Sequence, residues 1–147
     1  KYKNPDGDRC AWRTDNAFAS EARTHQGMVY AIQHPITGEM LYPANGSHWR
    51  YQQDVMLSTM REWCPYELAD LNDAEKRAEV CGVGVSEVRK GVKGIVLSQS
   101  VGESAKLARA VYEKGPWPRF FFTRDGLGGI ARKTYLDDVG GRLVTNL

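Results

Sequence analysis

Strand-forming residues in this chain come in short bursts towards its two ends, and helical spacing fills the stretch between. That placement constrains the fold more than any other feature, because alternation of strands and helices would be needed for a parallel α/β sheet. The run MVYAIQ at 28–33 has strand composition, His34-Pro35-Ile36-Thr37-Gly38 turns the chain, and Glu39-Met40-Leu41-Tyr42 can return antiparallel. Near the other end, Arg119-Phe120-Phe121-Phe122-Thr123 is a strand by composition. Arg124-Asp125-Gly126 turns it into a second strand at 130–135. Between these hairpins, Val55, Met56, Met60 and Trp63 keep one face of a helix over 53–63, which Pro65 ends. Further helices are expected at 65–71 and at 73–80, the latter with Asn72 as N-cap and Gly82 past its end. A short one follows, capped by Ser86 and running to Lys90. The clearest helix is 103–114, stopped by Gly115-Pro116, while 95–98 reads as a short strand or a buried turn. Residues 1–27 read as loop anchored by Trp12 and Phe18. The fold class is therefore α+β, with two β-hairpin regions near the ends and a helical segment between them.

A length of 147 residues suits one domain at roughly 100–200 residues each, and 41% apolar with 10% aromatic content is enough for a core. No apolar run approaches the ~18 residues of a membrane span, and the start lacks a signal pattern. The chain opens on Lys1 and ends on Val144-Thr145-Asn146-Leu147 with no helix stop, so 1–147 reads as a single domain that is a fragment of a larger chain. Cys10, Cys64 and Cys81 are odd in number and far apart. They indicate neither a disulfide framework nor a zinc site, and a cytoplasmic location fits best. The net charge of +2 hides an uneven distribution: residues 51–80 carry three basic against seven acidic side chains, whereas the flanking stretches are basic. Twelve of the twenty basic residues are Arg, the type whose fork matches phosphate and guanine.

Several motifs reduce to plain structural roles. Gly82-Val83-Gly84-Val85-Ser86 lacks the preceding strand and third glycine of a dinucleotide loop and reads as a helix C-cap with a linker. Ser98-Gln99-Ser100-Val101-Gly102 lacks the first glycine of a nucleophile elbow, and Ser100 or Ser104 serves better as a helix cap. His25, His34 and His48 have no cysteine or carboxylate cluster at ligand spacing, and Asp6, Asp8 and Asp15 lack the calcium-loop pattern. Two aromatic–basic clusters carry more: Arg9 with Trp12-Arg13 and Asp15, and His48-Trp49-Arg50-Tyr51. A guanidinium beside a flat ring suits base or phosphate contact, and equally a core Trp with an Arg packed at its rim. A third cluster joins Arg124 to Arg132-Lys133-Thr134-Tyr135, whose plainer reading is a charged edge strand.

These clusters fall in an ordered resemblance. YKNPDGDRCAWRTDN at 2–16 resembles the NPD-x-D-x-R-G-x-W-R-x-D segment of β-class adenine DNA methyltransferases, notably the modification subunits of type III restriction systems. VYAIQHPITGEMLYPANGSHWRY at 29–51 is similar to that family's Y-x-I-x-x-P-x-G and P-P-x-G-x-x-W-R-Y/F hairpin. FTRDGLGGIARKTYLDDVGGRLVTNL at 122–147 resembles F-x-x-D-G-x-x-x-P-R-x-K-x-Y-L and its V-x-T-x-L-W close. Residues 64–118 have no counterpart and read as a mostly helical insertion. The family's Asp-Pro-Pro-Tyr and Phe-x-Gly-x-Gly signatures do not occur.

The resemblance implies a DNA target-recognition insertion lying between those two signatures in the parent chain. It would bind double-stranded DNA and catalyse nothing alone. No cofactor is expected in the segment itself, and S-adenosylmethionine is expected for the parent. The implied partners are the catalytic domain of the same chain and a restriction subunit. The implied DNA-binding residues are Arg9, Trp12, Arg13, Trp49, Arg50, Arg124, Arg132 and Lys133, with Trp12 and Trp49 positioning the arginine loops. The alternative is a protein-docking module using the acidic stretch 54–79. A hydrolase built on Ser98 or Ser100 would lack a base, and an RNA-binding role would show as preference for single strands.

Overall fold

The computed structural model describes residues 1–137, so the expectation for the closing stretch 138–147 lies outside the described residues. Along the chain run β1 (Trp12–Asn16), β2 (Phe18–Ser20), β3 (Ile32–Gln33), β4 (Met40–Leu41), β5 (Ser47–Trp49), α1 (Gln53–Met60) and β6 (Tyr66–Ala69). Then come α2 (Ala74–Cys81), β7 (Gly94–Leu97), α3 (Val101–Lys114), β8 (Phe120–Phe122) and β9 (Ile130–Tyr135), with 3₁₀ turns at Gln26–Met28 and Val85–Glu87. The architecture is α+β. One sheet has the order β1-β9-β8, a second pairs β2 with β5, and a third has the order β4-β3-β7-β6. No helix among the described residues is long and apolar enough to cross a membrane.

The terminal hairpin forms where expected, with Phe120, Phe121 and Phe122 of β8 all buried and paired antiparallel to β9. Helix α3 starts on Ser100, whose hydroxyl accepts the Glu103 amide at 3.1 Å, and ends at Gly115 with φ 64°. A Cβ on Gly115 would overlap the Asp6 carbonyl, so glycine here lets the N-terminal segment approach the end of α3. In the first hairpin only Ile32↔Leu41 and Gln33↔Met40 pair. The His34 ring closes its turn, Nδ1 accepting the amides of Ile36 at 3.0 Å and Thr37 at 3.2 Å.

Three expectations are corrected. The first is that residues 1–27 are loop. In fact β1 pairs with β9 from Trp12↔Tyr135 to Asn16↔Ala131, and Lys3 bridges Trp12 by two backbone bonds of 2.8 Å. The second is a helix at 65–71, where the chain instead forms β6, paired with β7 from Tyr66↔Leu97 to Ala69↔Gly94. Glu67, Leu68 and Ala69 favour a helix locally, but burial of Tyr66 and its 2.7 Å hydroxyl bond to the Gln33 carbonyl decide for the strand. The third follows: 64–118 is not simply a helical insertion, because β6 and β7 complete the sheet begun by β3 and β4, with β7 parallel to β3.

The main core gathers Trp12, Trp49, Trp63, Tyr30, Met56, Met60 and the β8 phenylalanines. Each buried indole N–H is satisfied inside: Trp12 by Asp6 Oδ1 at 2.8 Å, Trp49 by the Tyr30 carbonyl at 2.7 Å, Trp63 by the Phe120 carbonyl at 2.9 Å. A smaller core under α2 holds Ala22, Val29, Ala78, Val80, Cys81 and Val88. The buried Arg77 guanidinium ties it together by donating to the carbonyls of Val29 at 2.6 Å, Arg89 at 2.5 Å and Gln26 at 2.8 Å.

Candidate nucleic-acid interface

Side chains alternate across a strand, so β1 and β9 sort their polar residues onto two faces. The register pairs Arg13 with Thr134 and Asp15 with Arg132 on one face, and Trp12 with Tyr135 and Thr14 with Lys133 on the other.

On the second of these faces Lys133 is fully enclosed. Its side chain has 0% exposure, and Nζ donates to Asp6 Oδ2 at 2.6 Å, Asp8 Oδ2 at 2.7 Å and the Trp117 carbonyl at 2.6 Å. The ammonium also lies 5.0 Å from the Trp12 ring centre. Burial works to raise the Asp6 and Asp8 carboxyls. Bonds from Lys133, with the Trp117 amide and Trp12 indole on Asp6 and the Arg9 amide and Tyr135 hydroxyl on Asp8, hold both below the usual value. All donors of the ammonium are consumed, so the assignment of Lys133 to DNA contact is corrected: it is a staple between the N-terminal segment and β9. Trp12 at 1% and Trp49 at 2% exposure are likewise closed to an external base. They anchor the strand β1 that bears Arg13 and the end of β5 that precedes Arg50.

The opposite face gathers arginines. Arg132 is largely covered yet reaches the surface: Nε donates to the Asn16 carbonyl at 2.9 Å, Nη1 to the Tyr51 hydroxyl at 3.1 Å and Nη2 to Asp15 Oδ2 at 3.3 Å. Arg50 donates to the Phe18 carbonyl at 3.3 Å, so both guanidinium groups grip the same short link between β1 and β2. Arg119 lies over the Tyr51 ring at 5.6 Å, and Arg13 over Tyr2 at 5.9 Å with an Nε bond of 3.3 Å to the Tyr2 hydroxyl. Arg13, Arg50 and Arg119 are exposed. Among the described residues the carboxylate paired here is Asp15, 3.3 Å from Arg132 and 3.9 Å from Arg13. Burial tends to raise it, but the Asn16 amide, the Thr134 hydroxyl, Arg132 and Arg13 keep it lowered and ionised. The face is thus an excess of oriented guanidinium around two tyrosines.

The remaining candidates lie elsewhere. Arg9 pairs with Asp137 and sits 4.3 Å over the Tyr135 ring. Arg124 stands on the β8–β9 turn in the left-handed region, φ 52°, beside Asp125 at φ 57°. Such a backbone costs about 1–2 kcal/mol per non-glycine residue. Sequence reasoning missed Arg119, although it opens the phenylalanine strand, and it included Tyr51 in the His48–Tyr51 cluster without placing it among the DNA-binding residues.

Other chemistries find little to build on. The Ser98 hydroxyl donates to Glu67 at 3.1 Å, and Ser100 is the helix cap. His25 and His48 stack at 4.1 Å without a third ligand, and among the described residues no group of three or more His, Cys, Asp or Glu is placed to hold a metal. Burial pushes the Cys64 thiol up to about 11 and raises Cys81, away from the thiolate. Comparison with family models, with curated proteins and with solved structures gives no match.

Proposed function

We propose that this segment binds double-stranded DNA and serves as the target-recognition part of a β-class adenine-specific DNA methyltransferase of a restriction system. The observation that carries the binding is the placement of Arg119 and Arg132 against Tyr51, with Arg132 and exposed Arg50 held on neighbouring carbonyls of Asn16 and Phe18 and exposed Arg13 beside Asp15. The resemblance of 2–16, 29–51 and 122–147 to that family carries the rest. Arg132 is held by three internal partners, so its outward N–H groups are oriented before any ligand arrives, which lowers the ordering cost of binding. Exposed Arg13, Arg50 and Arg119 suit phosphates, which fix register on a duplex. Methylating a base requires flipping it, at a few kcal/mol, and such contacts offset that cost. The S-adenosylmethionine of the proposed parent belongs to the signatures that this segment lacks.

Fluorescence anisotropy of the protein with labelled random duplex across a salt series tests the reading. The expected result is salt-sensitive binding with a log–log slope of about −0.9 per phosphate engaged. Binding that ignores salt, or that favours single strands over duplex, would overturn it.

A further inference from the structure

A cavity of about 380 Å³ opens between β1, the end of α3 and the β8–β9 turn, on the side of the sheet away from the arginine face. Its size falls within the roughly 300–1,000 Å³ of small-molecule sites. Trp12 and Phe121 form the floor, edge to face at 5.0 Å, and Tyr112 and Trp117 form a wall, stacked at 4.6 Å with planes 9° apart. Both indole N–H groups are spent internally, Trp12 on Asp6 and Trp117 on the Tyr112 carbonyl at 2.8 Å, so the open ring surface is that of half-buried Tyr112 and Trp117, with the Tyr112 hydroxyl the one aromatic donor among the described residues lining the cavity. Charged recognition comes from Lys3, Arg124 and Asp125, which line the cavity beside the hydroxyls of Thr14 and Thr123.

None of these three side chains makes an ion pair or a side-chain hydrogen bond among the described residues. Lys3 is nevertheless fixed in place by its double backbone bridge to Trp12. Arg124 and Asp125 are held in the left-handed region by a turn closed through Thr123 N to the Gly129 carbonyl at 2.9 Å and Gly128 N to the Thr123 carbonyl at 2.7 Å. A strained, pinned turn that presents a cation and a carboxylate to an aromatic slot is the arrangement of a ligand site. Two cations against one carboxylate reject a quaternary ammonium, which an aromatic box alone would welcome. They favour a flat ring that carries negative charge, with Asp125 free to accept from an amino group on the ring.

We infer that this cavity binds a nucleotide, the ring against Tyr112 and Trp117 and the phosphate between Lys3 and Arg124. The same chemistry comes from a free mononucleotide or from an unpaired nucleotide within a strand. Titration of the protein's tryptophan fluorescence with deoxyadenosine and deoxycytidine monophosphates, with the matching nucleosides and with a short single-stranded oligonucleotide tests it. A saturable change with a monophosphate or the oligonucleotide is expected, about tenfold weaker for a nucleoside and about tenfold weaker in Arg124→Gln or Lys3→Gln, as for removal of one charge-assisted hydrogen bond. Tighter binding of the oligonucleotide names the strand as the source, and equal or weaker binding names the free nucleotide. Both side chains are exposed and unpaired, so the variants keep the wild-type circular dichroism. No saturable change with any nucleotide, equal affinity for the nucleosides, or affinities unmoved in both variants would overturn the assignment.

Discussion

Arg132 and Lys133 are adjacent on β9 and carry the same charge, yet they face opposite sides of one sheet and do opposite work. Lys133 meets two carboxylates and a carbonyl inside the protein and has nothing left to offer. Arg132 meets one shared carboxylate, a carbonyl and a hydroxyl, and keeps its outer edge at the surface among three exposed arginines. Charge in a strand is therefore no guide to binding until its cross-strand partners are known. On one face two carboxylates serve a single cation, and on the other a single carboxylate, Asp15, is shared by Arg13 and Arg132 among the described residues.

The largest expected effect comes from breaking the enclosed face. Lys133→Met leaves Asp6 and Asp8 buried without their cation, and should cost about 3–5 kcal/mol in urea denaturation. A loss below about 1 kcal/mol would deny the staple role. Acid sharpens the same point. The Asp6 and Asp8 carboxyls are lowered in the folded state, so their stabilisation is complete above the ordinary carboxylate value of about 4 and is lost as pH falls through the folded values. In Lys133→Met burial would instead raise them, so the gap to wild type should be widest at neutral pH and narrow below about pH 4. Denaturation midpoints at neutral and acid pH check this, and a constant gap would contradict it. On the open face, Arg132→Ala removes three hydrogen bonds from a part-buried site and should cost about 1–2 kcal/mol as well as weakening duplex binding. Smallest in stability is Arg119→Ala, expected within about 0.5 kcal/mol of wild type by denaturation.

Elements whose signals are local are legible in the sequence. Helix α3 has its Ser100 start and Gly115 stop there, and β8 has three phenylalanines in a row. Strand β1 is not legible, because Arg13-Thr14-Asp15-Asn16 carries no apolar alternation and owes its form to a partner more than a hundred residues away. The same separation hides the staple: nothing near Lys133 announces Asp6 and Asp8, so a cation beside Arg132 reads as a second surface charge. Arg13, Arg50 and Arg132 stand out by their aromatic neighbours. The contact of Arg132 with Tyr51, its shared carboxylate with Arg13, the Arg50 bond to the Phe18 carbonyl and the addition of Arg119 all depend on tertiary packing.

The arginine face, and not the enclosed one, is the proposed DNA surface. Its most direct measurement is the salt dependence of duplex binding for wild type and for Arg13→Ala/Arg50→Ala/Arg119→Ala, by anisotropy with one labelled duplex. If those three arginines engage phosphates, the slope of log affinity against log salt should fall by about 0.9 for each phosphate no longer engaged, and affinity should drop on every sequence alike. An unchanged slope and affinity in a variant with wild-type circular dichroism would contradict the account.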